Sequence, residues 1–180
     1  MPEIYEPAED SYFLSEILTE EISKSARKNQ DLTFLEIGAG SGIQLERALN
    51  SGIKKKNIFS CDANSKAVRK CKELGFNCIQ SDLFENIDGK FDIIVFNPPY
   101  LPEDKREDED SKLATTGGKK GSEIINRFLK QAKPRLKKQG RIFLLASSLT
   151  KGINFKPYKK KLLGKKKMFF EEIYVWEISR

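Results

Sequence analysis

Apolar positions along the chain fall into two alternating spacings. Tyr12, Phe13, Leu14, Ile17, Leu18 and Ile22 recur at helical intervals, which predicts an amphipathic helix over 11–27. Short apolar runs at 33–37, 57–62, 77–80, 91–96 and 141–146 predict five strands. Between them, 43–51 and 65–74 read as helices, the second with Ser65 as N-cap and Gly75 as its stop. Residues 122–136 form a further helix with Ile124, Ile125, Phe128 and Leu129 on one face, kinked or ended by Pro134. One or two last strands lie in 168–179, near Phe169-Phe170 and at 173–176. The run 91–96 is apolar throughout its second half, as expected of a central strand covered on both faces.

Strands alternating with helices imply parallel pairing through right-handed crossovers, and so an α/β sheet between helical layers. No internal repeat or composition break divides the 180 residues, so 1–180 reads as one domain. Residues 102–120 are polar and aperiodic, a loop long enough to be functional or disordered.

Composition narrows the chemistry. The chain holds no histidine, which excludes a histidine base, a histidine triad and the commonest metal ligand. Three cysteines, Cys61, Cys71 and Cys78, fit neither a disulfide framework nor a zinc site, and no bound metal is expected. No apolar run approaches the roughly 20 residues of a membrane span. The acidic start lacks the features of a signal peptide, so a cytoplasmic location is expected and no membrane contact. Residues 151–180 carry nine basic against three acidic side chains, so +6 of the net charge of +7 sits there. That cluster, Lys159, Lys160, Lys161, Lys165, Lys166 and Lys167 above all, suits an RNA contact or a plain solvated surface.

Glu36-Ile37-Gly38-Ala39-Gly40-Ser41-Gly42 closes the first strand with a carboxylate and three glycines. Ligands of open α/β sheets bind outside the carboxyl ends of the strands, where glycine lets them approach the backbone. A dinucleotide fold is the obvious competitor. The spacing Gly-x-Gly-x-Gly suits a pyrophosphate less well, and Glu36 would repel an anion while attracting a sulfonium or ammonium. Asp62, ending the second strand, is placed to accept from ribose hydroxyls, and Asp82, after the third, from an adenine amino group.

Asn97-Pro98-Pro99-Tyr100 directly follows the fourth strand. Two prolines fix φ and remove two donors, leaving bare carbonyls, and Asn97 before a proline is held extended. A planar nitrogen is a poor nucleophile because its lone pair is delocalised. Two acceptors gripping its hydrogens orient it, while Tyr100 packs on the flat group, a task of positioning rather than strong base.

Glu36-x-Gly38-x-Gly40-x-Gly42, Asp62, Asp82 and Asn97-Pro98-Pro99-Tyr100 together resemble class I methyltransferases that modify planar nitrogens. Tyr5-Glu6-Pro7-Ala8-Glu9-Asp10-Ser11 is more specific and is similar to HemK-type release-factor glutamine N5-methyltransferases of the archaeal and eukaryotic branch. Gly117-Gly118-Lys119-x-Gly121-x-Glu123 and Phe169-Phe170-Glu171-Glu172-x-Tyr174-Val175 extend the resemblance over most of the chain. It implies a Rossmann-like, seven-stranded, mostly parallel sheet with helices on both faces and a C-terminal antiparallel hairpin.

The same resemblance implies S-adenosyl-L-methionine held by Pro7, Ser11, Glu36, Gly38, Gly40, Asp62, Asp82 and Asn97. Asn97, Pro98 and Tyr100 would be catalytic and, with Pro99, would hold the glutamine of a release factor's Gly-Gly-Gln loop. It further implies a small zinc-binding activator subunit pairing with the edge strand between Asn77 and Asp82. Some relatives methylate protein lysine, and N6-adenine methyltransferases share the Asn-Pro-Pro-Tyr chemistry, so both remain alternatives. A non-catalytic subunit keeping the fold is a third, against which the intact Glu36, Asp62 and Asn97 argue. The family's long helix before the last hairpin is short or missing here, where 151–158 carries glycine and proline before the lysines.

Overall fold

The computed structural model describes residues 4–103 and 115–180. Helix α1 (Glu9–Ala26) leads into β1 (Phe34–Ile37), α2 (Ile43–Asn50), β2 (Ile58–Asp62), α3 (Ser65–Glu73), β3 (Asn77–Gln80) and β4 (Phe91–Phe96). Helix α4 (Glu123–Arg135), β5 (Leu136–Ser147), β6 (Lys159–Lys167) and β7 (Glu172–Ser179) complete the chain. Of the polar stretch 102–120, residues 104–114 lie outside the described residues.

The seven strands form one sheet in the order β3-β2-β1-β4-β5-β7-β6. The first five are parallel, while β7 runs antiparallel to both β5 and β6. Side-chain alternation divides the interior in two. Phe34, Phe143, Leu145 and Val175 point to the layer of α1, α2 and α3, with Leu14, Leu18, Leu45 and Val68. Leu35, Ile94, Ile142 and Leu144 point to α4, with Phe128, Leu129 and Ala132. All four residues of β1 are buried, as befits a strand between parallel neighbours.

Three expectations change. Asn64 rather than Ser65 caps α3, because its side chain accepts from Lys66 N at 3.0 Å. Pro134 ends its helix as expected: it sits in the last turn of α4, and β5 begins directly at Leu136.

The largest change is at 159–167, where the lysine cluster is itself a strand. Neither face of β6 alternates apolar with polar because it is an edge strand, held by eight register pairs with β7. It packs on α1 through Gly164, where a Cβ would come within 2.8 Å of Ile17 Cδ1 and 3.1 Å of Phe13 Cζ. Phe169-Phe170, read above as strand, is the exposed β6–β7 turn. Residues 148–158, before this hairpin strand, form no helix; the Phe155 ring sits 5.6 Å from Trp176 and the Tyr158 hydroxyl donates to Leu129 O at 2.7 Å.

Candidate active site at the switch point of the sheet

Chain order reverses between β1 and β4, so the segments leaving their carboxyl ends turn to opposite faces of the sheet and leave a crevice. The β1–α2 turn rims it. Gly38 and Gly40 have φ of +69° and +50°, a left-handed backbone that glycine adopts without strain. Gly38 N and Ala39 N both donate to Cys61 O, at 2.8 and 3.0 Å, tying the turn to β2. The result is a cavity of about 540 Å³ lined by Glu36, Gly38, Asp62, Asp82, Asn97 and Tyr100. Ser11, Gly40, Pro98 and Pro99 also face it, whereas Pro7 does not. Pro7 precedes α1 and lies between the lining residues Tyr5 and Asp10 without itself reaching the cavity.

Two carboxylates flank the glycine turn. Glu36 is buried, and its Oε2 has no hydrogen-bond partner. Burial first, then the nearby charges of Asp62 and Cys78, hold the Glu36 carboxyl well above the usual carboxylate range. Asp62 accepts from Gly40 N through Oδ2 (2.9 Å) and from Asn64 N through Oδ1 (2.8 Å). Burial nonetheless pushes its pKa up against those two donors. Asp82 is half-exposed and pairs with Arg127 of α4 at 2.6 Å, so its charge is partly engaged before any ligand arrives.

Asn97 is the focus of the opposite wall. Its Nδ2 donates to Asp10 Oδ2 at 3.2 Å, while its buried Oδ1 has no partner. Asp10 stands in the quoted N-terminal motif without an assigned role, yet it is buried in the first turn of α1 and lines the cavity. Its Oδ1 accepts from Ser11 N (2.6 Å), Ser11 Oγ (3.2 Å) and the Tyr5 hydroxyl (3.2 Å). An ionised carboxylate only accepts, so Asp10 dictates that Asn97 turn its NH₂ toward it and its oxygen away. Gln44 of α2 anchors this turn of α1, donating to Ser11 O at 2.9 Å and accepting from Ser15 Oγ at 2.9 Å. An acid immediately before the predicted helix start was the available signal, but ordinary capping acids look the same.

The Pro-Pro-Tyr segment is held from behind. A Cβ at Gly117 would collide with the Pro99 carbonyl oxygen, and one at Gly121 with that of Tyr100, so only glycine allows this approach. Thr150 Oγ1 donates to Tyr100 O at 2.8 Å. Burial, followed by the charges of Asp10 and Glu171, raises the Tyr100 phenol well above its ordinary value and keeps it protonated. Among the described residues no cluster of three or more His, Cys, Asp or Glu is arranged to hold a metal ion.

An acidic glycine turn at one strand end and an extended Asn-Pro-Pro-Tyr at the next, on this strand order, define a methyltransferase site. Residues 13–170 match the methyltransferase small domain, and the chain belongs to that family. It is 42% identical to a Methanocaldococcus jannaschii protein provisionally named a protein N5-glutamine methyltransferase, over 97% of this chain and 90% of that one. It is 30% identical to the eRF1 methyltransferase catalytic subunit of Schizosaccharomyces pombe, over 83% of this chain and 74% of that one. The fold is shared with the ribosomal protein L11 methylase of Lactobacillus delbrueckii, at a TM-score of 0.63 and 16% identity, covering 99% and 82% of the two chains.

Proposed function

We propose that this chain transfers a methyl group from S-adenosylmethionine to the side-chain amide nitrogen of a glutamine in a class I peptide release factor. The observation that carries the reading is the partnerless Asn97 Oδ1 on a residue that lines the cavity, its amide orientation set by Asp10. A buried acceptor without a donor costs free energy unless a ligand supplies one.

The site fits the cofactor. Its volume falls within the roughly 300–1,000 Å³ of small-molecule sites. The orphaned Glu36 Oε2 and the glycine turn suit a cationic head, and Asp62 keeps lone pairs for hydroxyl donors beyond its two backbone bonds. When bound, S-adenosylmethionine supplies a sulfonium methyl carbon as electrophile.

Everything else falls to the chain's own groups. Asn97 Oδ1 accepts one N–H of the substrate amide, and the Pro98 carbonyl accepts the other. Held by both hydrogens, the nitrogen directs its remaining electron pair across the cavity. Positive charge grows on that nitrogen as its bond to the methyl carbon forms and the methyl–sulfur bond breaks. The strongly acidic N-methylated amide then releases one of its two hydrogens as a proton to solvent. The negative Asp10 polarises Asn97 from behind, strengthening the acceptor where the charge develops. Tyr100, protonated and partly buried, offers a flat wall for the amide plane.

The direct test is incubation with labelled S-adenosylmethionine and, separately, a release factor, its Gln→Ala variant of the Gly-Gly-Gln loop, and oligonucleotides. Label confined to the glutamine-bearing release factor is the expected result. Label in nucleic acid alone, or surviving in the Gln→Ala protein, overturns the assignment.

Cofactor affinity is also expected to be pH-dependent in an unusual range. A cationic ligand favours ionised Glu36, so binding is strong above the raised Glu36 pKa and weakens as pH falls through it. Because that pKa lies well above 4.5, weakening begins at higher pH than for an ordinary carboxylate. Calorimetry across pH should show the decline, and Glu36→Gln should weaken binding at high pH while leaving only the Asp62 contribution to the slope.

The proposal includes a small zinc-binding activator subunit adding a strand along β3. What supports it is position: β3 is a terminal strand of the sheet, with Asn77 and Gln80 exposed. Full activity of the chain purified alone would argue against that subunit.

A further inference from the structure

We propose that the β6–β7 turn is an apolar docking tip that inserts into a hollow on the substrate protein beside the loop entering the cavity, an inference that rests on the protein-methylating reading above. Phe169 and Phe170 are 98% and 78% exposed, whereas the other ten phenylalanines are all buried or half-buried. Scattered apolar side chains on a surface need no explanation, but two adjacent, nearly bare aromatic rings on a held turn point to a contact.

The turn stands at the mouth of the site. Because β7 is antiparallel to β5, Ile173 lies opposite Ser147, at the carboxyl end of β5 where the cavity opens. Hydrogen bonds fix its base. Met168 N donates to Glu171 O (2.8 Å), Ser148 N to Glu172 O (2.8 Å) and Glu172 N to Ser148 Oγ (3.0 Å). Ser147 Oγ donates to the Glu171 carboxylate, and Ser147 N donates to Thr150 Oγ1, the same hydroxyl that holds Tyr100 O. The tip and the Pro-Pro-Tyr wall therefore share one frame. The charge of Glu171 adds to the upward pKa shifts of both Tyr100 and Tyr5, two residues that line the cavity. Exposed Tyr12 lies in the first turns of the same helix as Glu9, which Lys166 of β6 approaches at 3.8 Å.

Local charge selects a protein over a nucleic acid as the occupant. Glu171 and Glu172 directly follow the two rings, Lys167 lies opposite Glu172 in the strand register, and Lys165 and Lys166 are drawn toward Glu172 and Glu9 at 3.5 and 3.8 Å. Phosphates at the tip would meet these carboxylates. Lys159, Lys160 and Lys161 lie at the far end of β6, opposite the end of β7, away from the mouth. The surroundings of the rings thus favour apolar contact with little salt dependence.

The test compares the full chain with its Phe169→Ser/Phe170→Ser double variant on an intact release factor and on a short synthetic peptide of its Gly-Gly-Gln loop. For the intact protein, KM is expected to rise about tenfold or more, with kcat unchanged. Peptide kinetics, S-adenosylmethionine affinity and melting temperature are expected to stay as in wild type. An unchanged KM for the intact protein overturns the proposal, including the case where the variant only loses self-association in sedimentation. An equal loss on peptide and protein also overturns it, because the turn would then be shaping the cavity. Failure of the glutamine assignment is read separately, as wild-type enzyme that labels neither substrate or labels RNA instead.

Discussion

Asn97→Ala is expected to lower kcat about 10²–10³-fold while S-adenosylmethionine affinity stays within about twofold of wild type, by analogy with the loss of one preorganised polar contact. The asymmetry follows from the two ends of its amide. Nδ2 is spent on Asp10, which leaves only the partnerless Oδ1 for the substrate amide. Alanine therefore removes the grip on the substrate nitrogen without touching Glu36, Asp62 or the glycine turn, which form the other wall. Asp10→Asn should give a smaller loss, about tenfold or more, since a hydrogen bond to a charged group is worth about 1.5–3 kcal/mol. An asparagine at position 10 offers both donor and acceptor, so Asn97 is no longer told which way to face. Single-turnover transfer and calorimetric cofactor binding separate the two effects. Parallel loss of transfer and cofactor binding in Asn97→Ala would make the residue a structural support rather than a catalytic one.

Phe128→Ala is expected to cost about 3–5 kcal/mol of folding stability, the range for emptying a large aromatic site in a core. Phe128 is fully buried on α4, with ring centroids of Phe96 and Phe84 at 4.7 and 5.5 Å. Those neighbours come from β4 and from the segment following β3, so no single element can shift to refill the space. The damage should also reach the site. Phe96 is the floor beneath the glycine turn, its ring 3.5 Å from where a Gly38 Cβ would stand. A loosened Phe96 should therefore weaken cofactor binding as well. Urea unfolding with and without S-adenosylmethionine measures both quantities. A loss under about 1 kcal/mol would mean that this layer repacks freely, against the density typical of protein interiors.

The parallel half of the fold was legible because its strands are buried on both faces and its helices are amphipathic. Phe91–Phe96 and the Leu14-Leu18-Ile22 stripe carry their burial in their spelling. The cavity residues were legible for a related reason: Glu36, Asp62 and Asn97 each stand at the carboxyl end of a recognisable strand. Two things were not. Strand β6 hides among lysines because an edge strand takes its stability from one neighbour's backbone, which leaves no apolar period to read. Asp10 hides because its importance is a contact spanning 87 residues, to Asn97. Pro7, assigned to the cofactor by resemblance, lies off the cavity, whereas Tyr5 and Asp10 on either side of it face in.

The six lysines of β6 have a consequence for how copies of this chain can meet. Laid side by side along that rim, two molecules would bring a dozen ammonium groups together, and mutual repulsion would unzip them before backbone pairing could begin. The opposite rim, Asn77-Cys78-Ile79-Gln80, has no such brake. The molecule is polar in the sense of a one-sided fastener: whatever lengthens its sheet must arrive at the uncharged margin.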